Sequence, residues 1–242
     1  MTFDPFGDFD TQGYLRNFAK EKDLVIVKRL EHTSFLTGID AALAALSKRR
    51  ELGYADLLQT HKTLFDAVYP WAGQDRTHTA PHLTIRKGRV IFANPADIRR
   101  AVEHGLRLGQ NKAAMIAKPG EVMGYLAFGH PFLDGNGRTI MTVHSAMAQR
   151  AGLSVDWPAT DQIAYLNAPT GELENPGKGL LDNYLKPFIG KGVAHDRLAA
   201  RISAAPGIDG SAEAQANEVL GDVAEPDVKA QYETMLRKRE QR

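Results

Sequence analysis

Residues 119–129, PGEVMGYLAFG, carry one charge, on Glu121, and otherwise give water almost nothing to solvate. Their pattern predicts a helix, and a helix with so little polar relief belongs near the centre of a core. RTIMTVHSAMAQRAGL, 138–153, predicts a second helix that is again largely apolar. Two such helices in succession must both be buried, which points to a mostly α fold packed around them.

The flanking segments supply the packing. DLVIVKRLEHTSFLTGIDAALAALSKRREL, 24–52, repeats apolar residues at three and four and predicts a helix with a basic last turn. After Gly53, YADLLQTHKTLFDAVY, 54–69, predicts an amphipathic helix stopped by Pro70. NPADIRRAVEHGLRLG, 94–109, opens on a capping asparagine and a first-turn proline and continues as helix. LTIRKGRVIF, 83–92, sets β-branched residues either side of RKG and predicts one short hairpin. ATDQIAYLNA and KGLLDNYLKPFI predict two shorter helices, with PTGELENPG between them as a loop. Residues 1–9 read as an N-terminal extension and 10–190 as the all-α core with its hairpin. From 191 to 242 the chain turns to Ala, Gly, Asp and Glu, which predicts a weakly structured linker and a charged tail.

Composition narrows the function classes. A net charge of +1 gives no field for nucleic acid or a membrane surface. The absence of cysteine removes disulfides, thiol nucleophiles and cysteine-ligated zinc, and agrees with a reducing cytoplasm. No apolar run approaches the roughly 18 residues of a membrane helix. A soluble, cytoplasmic protein is the expectation.

Between the two apolar helices lies HPFLDGNGR, 130–138. Its position at a helix start supplies unpaired N–H groups and a positive dipole end, an anion site. Gly135 and Gly137 permit positive φ and close approach of a bulky ligand. Arg138 adds a planar cation for phosphate oxygens. Asp134 is a hard oxygen ligand of the kind that holds Mg²⁺ on a nucleotide. His130 is the natural general base, and Phe132 is expected to anchor the loop in the core. Asn136 can orient a phosphate or the loop itself. Each part has a plainer use, since DGNG alone is ordinary turn chemistry. Six choices that fit one site argue for phosphate-directed chemistry: a base that deprotonates a hydroxyl, beside a diphosphate clamp.

HPFLDGNGR resembles the motif of the Fic (Fido) family, usually written H-P-F-x-(D/E)-G-N-G-R-x-x-R. LFDAVYPWAGQDR, IRKGRVIFANPADI and, more weakly, GYLRN near the start are similar to other family segments. The resemblance covers about residues 10–190. It implies an all-helical core with a β-hairpin flap, and transfer of AMP from ATP to a Ser, Thr or Tyr hydroxyl of a target protein. His130 would be the base, Asp134 the Mg²⁺ ligand, and Gly135, Asn136 and Gly137 the anion hole, with Arg138 on the distal phosphates. The flap, Thr84, Ile85, Arg86, Lys87, Gly88, Arg89, Val90, Ile91 and Phe92, would dock the target by strand addition. Tyr165 and Asn167 are candidates for contact with the base, which is left open among AMP, UMP and GMP.

The chain departs from that pattern at Met141, where the family has a second arginine. Arg86, Lys87 or Arg89 is expected to compensate. TGELEN, 170–175, has the spacing of the family's inhibitory motif, but Pro169 and Gly171 argue against a helix there. Control by a separate antitoxin protein, or by secretion of a bacterial toxin or effector, fits the lack of a good internal motif. The basic end, MLRKREQR, fits a secretion signal less well than a solvated terminus. Two alternatives stay open: a Doc-like phosphotransferase, against which Gly137 speaks, and a catalytically weakened nucleotide-binding scaffold. A zinc hydrolase built on His61, His78, His82 or His144 lacks a ligand pair at helical spacing.

Overall fold

A computed structural model describes residues 4–209 and 217–240. Its helices are α1 (Phe9–Gln12), α2 (Leu24–Ser47), α3 (Tyr54–Phe65), α4 (Arg76–Thr79), α5 (Pro95–Gln110), α6 (Lys112–Ala117), α7 (Pro119–Gly129) and α8 (Asn136–Ala151), then α9 (Gln162–Glu174), α10 (Leu180–Leu185), α11 (His195–Ser203) and α12 (Pro226–Glu240). Its strands are β1 (Leu83–Lys87), β2 (Val90–Ile91), β3 (Leu153–Val155), β4 (Ile189–Lys191) and β5 (Glu218–Asp222). The fold is therefore mostly helical, with two small antiparallel sheets.

α7 and α8 form the centre, as their composition requires. Val122, Met123 and Leu126 of α7 and Val143, Met147 and Ala148 of α8 are buried. His144 ties the pair, its Nε2 donating to the Pro119 carbonyl at 2.8 Å. α2, capped by the Asp23 side chain accepting from Val25 N, lays Val27, Phe35, Ile39, Leu43 and Leu46 on the core. β1 and β2 turn tightly through Gly88 and Arg89, with Lys87 opposite Val90 and Gly88 at φ 56°. β3 pairs with β4 and ties the chain after α10 to the end of α8. Among the described residues no helix is long and apolar enough to cross a membrane.

The structure differs from the sequence reading in three respects: the ends of two helices, one loop and the tail. α2 stops at Ser47, short of residue 52, and α3 at Phe65, short of 69. The expected loop PTGELENPG is helical through Glu174. Packing outweighs propensity there: α9 lies so close on α7 that a Cβ at Gly124 would meet the Glu172 side chain at 3.0 Å. Glu172, buried, also accepts from the Gly177 and Leu181 amides at 3.0 and 3.3 Å, which fixes the turn after the helix. The third difference is the tail. In its described residues the expected weak structure is replaced by α11, β5 and α12, with Leu198, Ile202, Val228 and Tyr232 buried.

Candidate active site

α7 ends at Gly129, and His130 caps it in the left-handed region, φ 40°, ψ 57°. A non-glycine residue rarely adopts that conformation and needs external support. Arg76, fully buried, provides it. Its Nε donates to the His130 carbonyl at 2.8 Å and its guanidinium to the Ala93 carbonyl at 2.6 Å. A cation here also answers the negative end of the α7 dipole, although burial lowers the Arg76 pKa to about 10. The imidazole stacks on Phe92 of the flap, 3.7 Å between centroids and 10° between planes. Burial first, then Arg76 and Lys87, hold the His130 pKa well below its ordinary value, while Asp134 and then the Asn217 side chain oppose them. The ring is neutral at pH 7, and among the described residues its buried Nε2 has no hydrogen-bond partner.

The next residues form the turn into α8. Gly135 sits at φ 75°, and a Cβ there would meet the Phe65 ring at 2.6 Å, so only glycine fits. Asn136 spends its amide on the loop, accepting from Phe132 N at 2.9 Å and donating to Phe132 O at 2.7 Å. Phe132 is fully buried against His61, with ring centroids 3.7 Å apart. His61 accepts the Gly73 amide at Nδ1, 2.9 Å, which leaves its proton on Nε2 to donate to the Asp134 carbonyl at 3.0 Å. The first-turn N–H groups of α8, at Asn136, Gly137 and Arg138, precede any intrahelical bonding; of the two glycines expected at positive φ only Gly135 is so, and Gly137 is helical.

Buried neutral histidines have a consequence for stability. Burial lowers the His61 pKa to about 3 and that of His144 to about 4. Below the unfolded value near 6.5 the unfolded chain binds protons that the folded chain refuses, so stability falls with pH from about 6.5 to 4. Each histidine adds about 1.4 kcal/mol per pH unit to that slope. Urea titrations at successive pH values should show it, and His144→Gln should remove one histidine's share.

Arg138 pairs with Glu31, a completely buried residue of α2 that also accepts from the Tyr69 hydroxyl and from Lys28 Nζ at 3.0 Å. The Arg138 guanidinium lies 4.9 Å over the Phe65 ring. Asp134 is taken on every side. Lys28 Nζ lies 2.5 Å from its Oδ2, Tyr14 donates to the same oxygen at 2.9 Å, and the Gly135 amide donates to Oδ1 at 2.7 Å. Burial raises the Asp134 pKa, but Lys28 and then Arg138 outweigh it and hold the carboxyl well below the usual range. As arranged, this donor set does not fit Mg²⁺, because an ammonium already occupies the face of the carboxylate. Among the described residues no three His, Asp or Glu side chains gather to hold a metal.

A cleft of about 640 Å³ opens beside His130, lined by Asn136, Gly137, Ile140, Phe92, Met123 and Leu173. Tyr165, Asn167 and Lys87 line it too. Its size and apolar walls suit a nucleotide. Of the three flap cations only Lys87 lines this cleft, and its pKa is lowered chiefly by burial. Arg86 instead pairs with Glu218 at 2.9 Å, and Arg89 lines a second cleft with Glu174 of TGELEN. Met141 is buried in the core. Thr84, Ile85, Val90 and Phe92 of the flap are also buried, while Gly88 and Ile91 lie farther out. Sequence reading passed over Lys28, Glu31 and Asn217, weighed His61 only as a zinc ligand, and held Tyr14 and Arg76 only inside segments of family likeness.

Residues 51–148 match the model of the Fic/DOC family. The chain is 29% identical over 169 residues to the protein adenylyltransferase VbhT of Bartonella schoenbuchensis, covering 66% of this chain and 34% of that protein. It is 25% identical over 154 residues to the protein adenylyltransferase Fic of Drosophila grimshawi, covering 60% and 31%. It thus spans about a third of the length of these two relatives. The N-terminal Fic domain of a Bep effector from Bartonella quintana, solved with bound ADP, superposes with a TM-score of 0.64 at 18% identity, covering 78% of this chain and 96% of that one. BepC from Bartonella tribocorum, solved with bound AMPPNP, gives 0.58 at 17%, covering 73% and 92%. At these identities the structural likeness shows the fold.

Proposed function

We propose that this chain, which carries a Fic/DOC family domain, transfers AMP from ATP to a hydroxyl side chain of a target protein. One observation carries the reading: a neutral histidine with an unpartnered Nε2, opening on a nucleotide-sized cleft beside the unpaired N–H groups of a helix start. The target hydroxyl oxygen attacks the α-phosphorus while His130 Nε2 takes its proton. The bond from the α-phosphorus to the bridging oxygen breaks, and pyrophosphate leaves. The α8 amides and Arg138 meet the negative charge that builds on the phosphate oxygens. Lys87, which lines the cleft, supplies the cation that Met141 does not.

The resemblance also implies Mg²⁺ at Asp134. No step above uses it, because Lys28 holds that carboxylate. Lys28→Met should therefore open Asp134 and make ATP binding depend on Mg²⁺ more steeply than in the unaltered chain. Calorimetric titration of both proteins with ATP, in Mg²⁺ and in EDTA, compares them. Equal Mg²⁺ dependence would contradict the assignment.

Incubation with a cell lysate and ATP labelled at the α or the γ position tests the reaction. The α label should pass to protein, and the γ label should leave with pyrophosphate. Parallel runs with CTP, GTP and UTP address the base. A second reading, a nucleotide-binding scaffold, has its own support in the internal pairing of Arg138 and Asp134. It gains if His130→Ala binds ATP normally and changes nothing else that the chain does. A secreted effector is consistent with the Bartonella likenesses. An antitoxin partner remains a proposal for co-purification to address.

A further inference from the structure

The flap was expected to offer an open edge for a target strand, but the chain's own tail lies on that edge. β5 pairs antiparallel with β1, so the sheet runs β2-β1-β5 and β1 has partners on both sides. The register sets Arg86 opposite Glu218, Ile85 opposite Val219, Thr84 opposite Gly221 and Leu83 opposite Asp222.

The tail strand is held at both ends. Beyond it, the Val223 amide donates to the His82 carbonyl at 2.8 Å. α12 then seats Tyr232, whose hydroxyl donates to Asp97 at 2.8 Å and accepts from the Asn94 amide at 3.0 Å. Before it, Asn217 donates to the Leu133 carbonyl at 2.9 Å, in the loop that His130 opens, and its side chain is close enough to the imidazole to raise the His130 pKa. The residue that opens the strand thus stands at the base itself, and its side chain is an amide with no hydroxyl to modify.

We propose that residues 217–222 are a built-in competitor for the target-docking edge, with Asn217 standing where the hydroxyl-bearing residue of a target stands. This rests on the transferase reading and adds regulation and substrate class to it. A target is an extended segment that displaces β5 and pairs with β1 in the same register. Its Ser, Thr or Tyr takes the place of Asn217, and an acidic residue next in sequence faces Arg86. While β5 is seated, the chain is closed to targets.

Two arms test this on the full chain. In the first, Asn217→Ser is incubated with α-labelled ATP. Label should enter at position 217, located by peptide mass spectrometry, at a rate independent of protein concentration. It should be absent from the unaltered chain and from Asn217→Ser combined with His130→Ala. Label on a lysate protein but none at position 217 would overturn the proposal while leaving the transferase reading standing.

The second arm needs no chemistry. A fluorescent peptide of residues 217–224, bearing serine for Asn217, is titrated into the unaltered chain and into Glu218→Pro. Ile85 gives its carbonyl to Phe92 in β2, so Arg86 faces β5, and proline at its partner Glu218 removes a ladder N–H and loosens the tail strand. A tethered strand competes at an effective concentration near the millimolar range, so the peptide should bind Glu218→Pro at least about tenfold tighter. Equal binding to both proteins, or none to either, would overturn the proposal even if no transfer were ever seen.

Discussion

His130→Ala should reduce nucleotidyl transfer by about 10²- to 10⁴-fold, the usual contribution of a positioned general base. ATP affinity should stay within a few-fold, because the phosphate nest is made by the start of α8 and not by the imidazole. The size of the effect follows from the state of the ring. It is neutral at pH 7, stacked on Phe92, and has an unpartnered Nε2. Transfer should hold its rate as pH falls through 6.5, where a solvated histidine would protonate, since burial keeps the ring neutral below that point. Initial rates at fixed ATP across that range, with parallel binding titrations, check both statements. A variant that kept a tenth or more of the activity would remove His130 from the chemistry.

The second large effect belongs to a residue that touches no substrate in this account. Arg76→Met keeps the stem but leaves the His130 and Ala93 carbonyls without donors. Each buried acceptor left unpaired costs about 1–3 kcal/mol, so the variant should lose up to about 6 kcal/mol of folding stability. Relief of burying a lone guanidinium offsets part of this. The functional effect should outrun the stability effect. Without Arg76 the left-handed conformation of His130 loses its clasp, and the ring no longer meets both Phe92 and the cleft. Under conditions where Arg76→Met is fully folded, kcat should fall while KM for ATP changes little. Denaturant unfolding and steady-state kinetics on the same preparation separate the two.

The contrast between those residues shows where the sequence was legible. From His130 to Arg138 the site is nine consecutive residues, and each choice constrains its neighbours. The partners that hold them come from far along the chain: Tyr14 from the N-terminal segment, Lys28 and Glu31 from α2, His61 from α3, and Arg76 from α4. Glu31 did leave a trace. It falls on the buried stripe of α2 with Val27 and Phe35, where a carboxylate has no reason to be unless something cationic meets it. His61 likewise sits on the apolar stripe of α3 between Leu57 and Leu64. A charged or titratable residue in phase with a core stripe was the available signal. Arg76 left none, since its acceptors are backbone carbonyls.

The helix through Pro169 and the tail strand escaped for a different reason. Local propensity argued against both, and tertiary contact decided them. α9 is held by its packing on α7. β5 is short, half exposed and Gly-containing, and it acquires its structure from an edge that another part of the chain leaves open. The loss of the second arginine at Met141 reads more simply once Lys87 is seen lining the cleft and Lys28 on Asp134.

The most direct test of the central claim is the intact mass of a purified target after reaction with ATP and the full chain. The account predicts an added AMP on a Ser, Thr or Tyr side chain, missing when His130→Ala replaces the unaltered protein. A phosphoryl increment, or an AMP increment that survives His130→Ala, would contradict it.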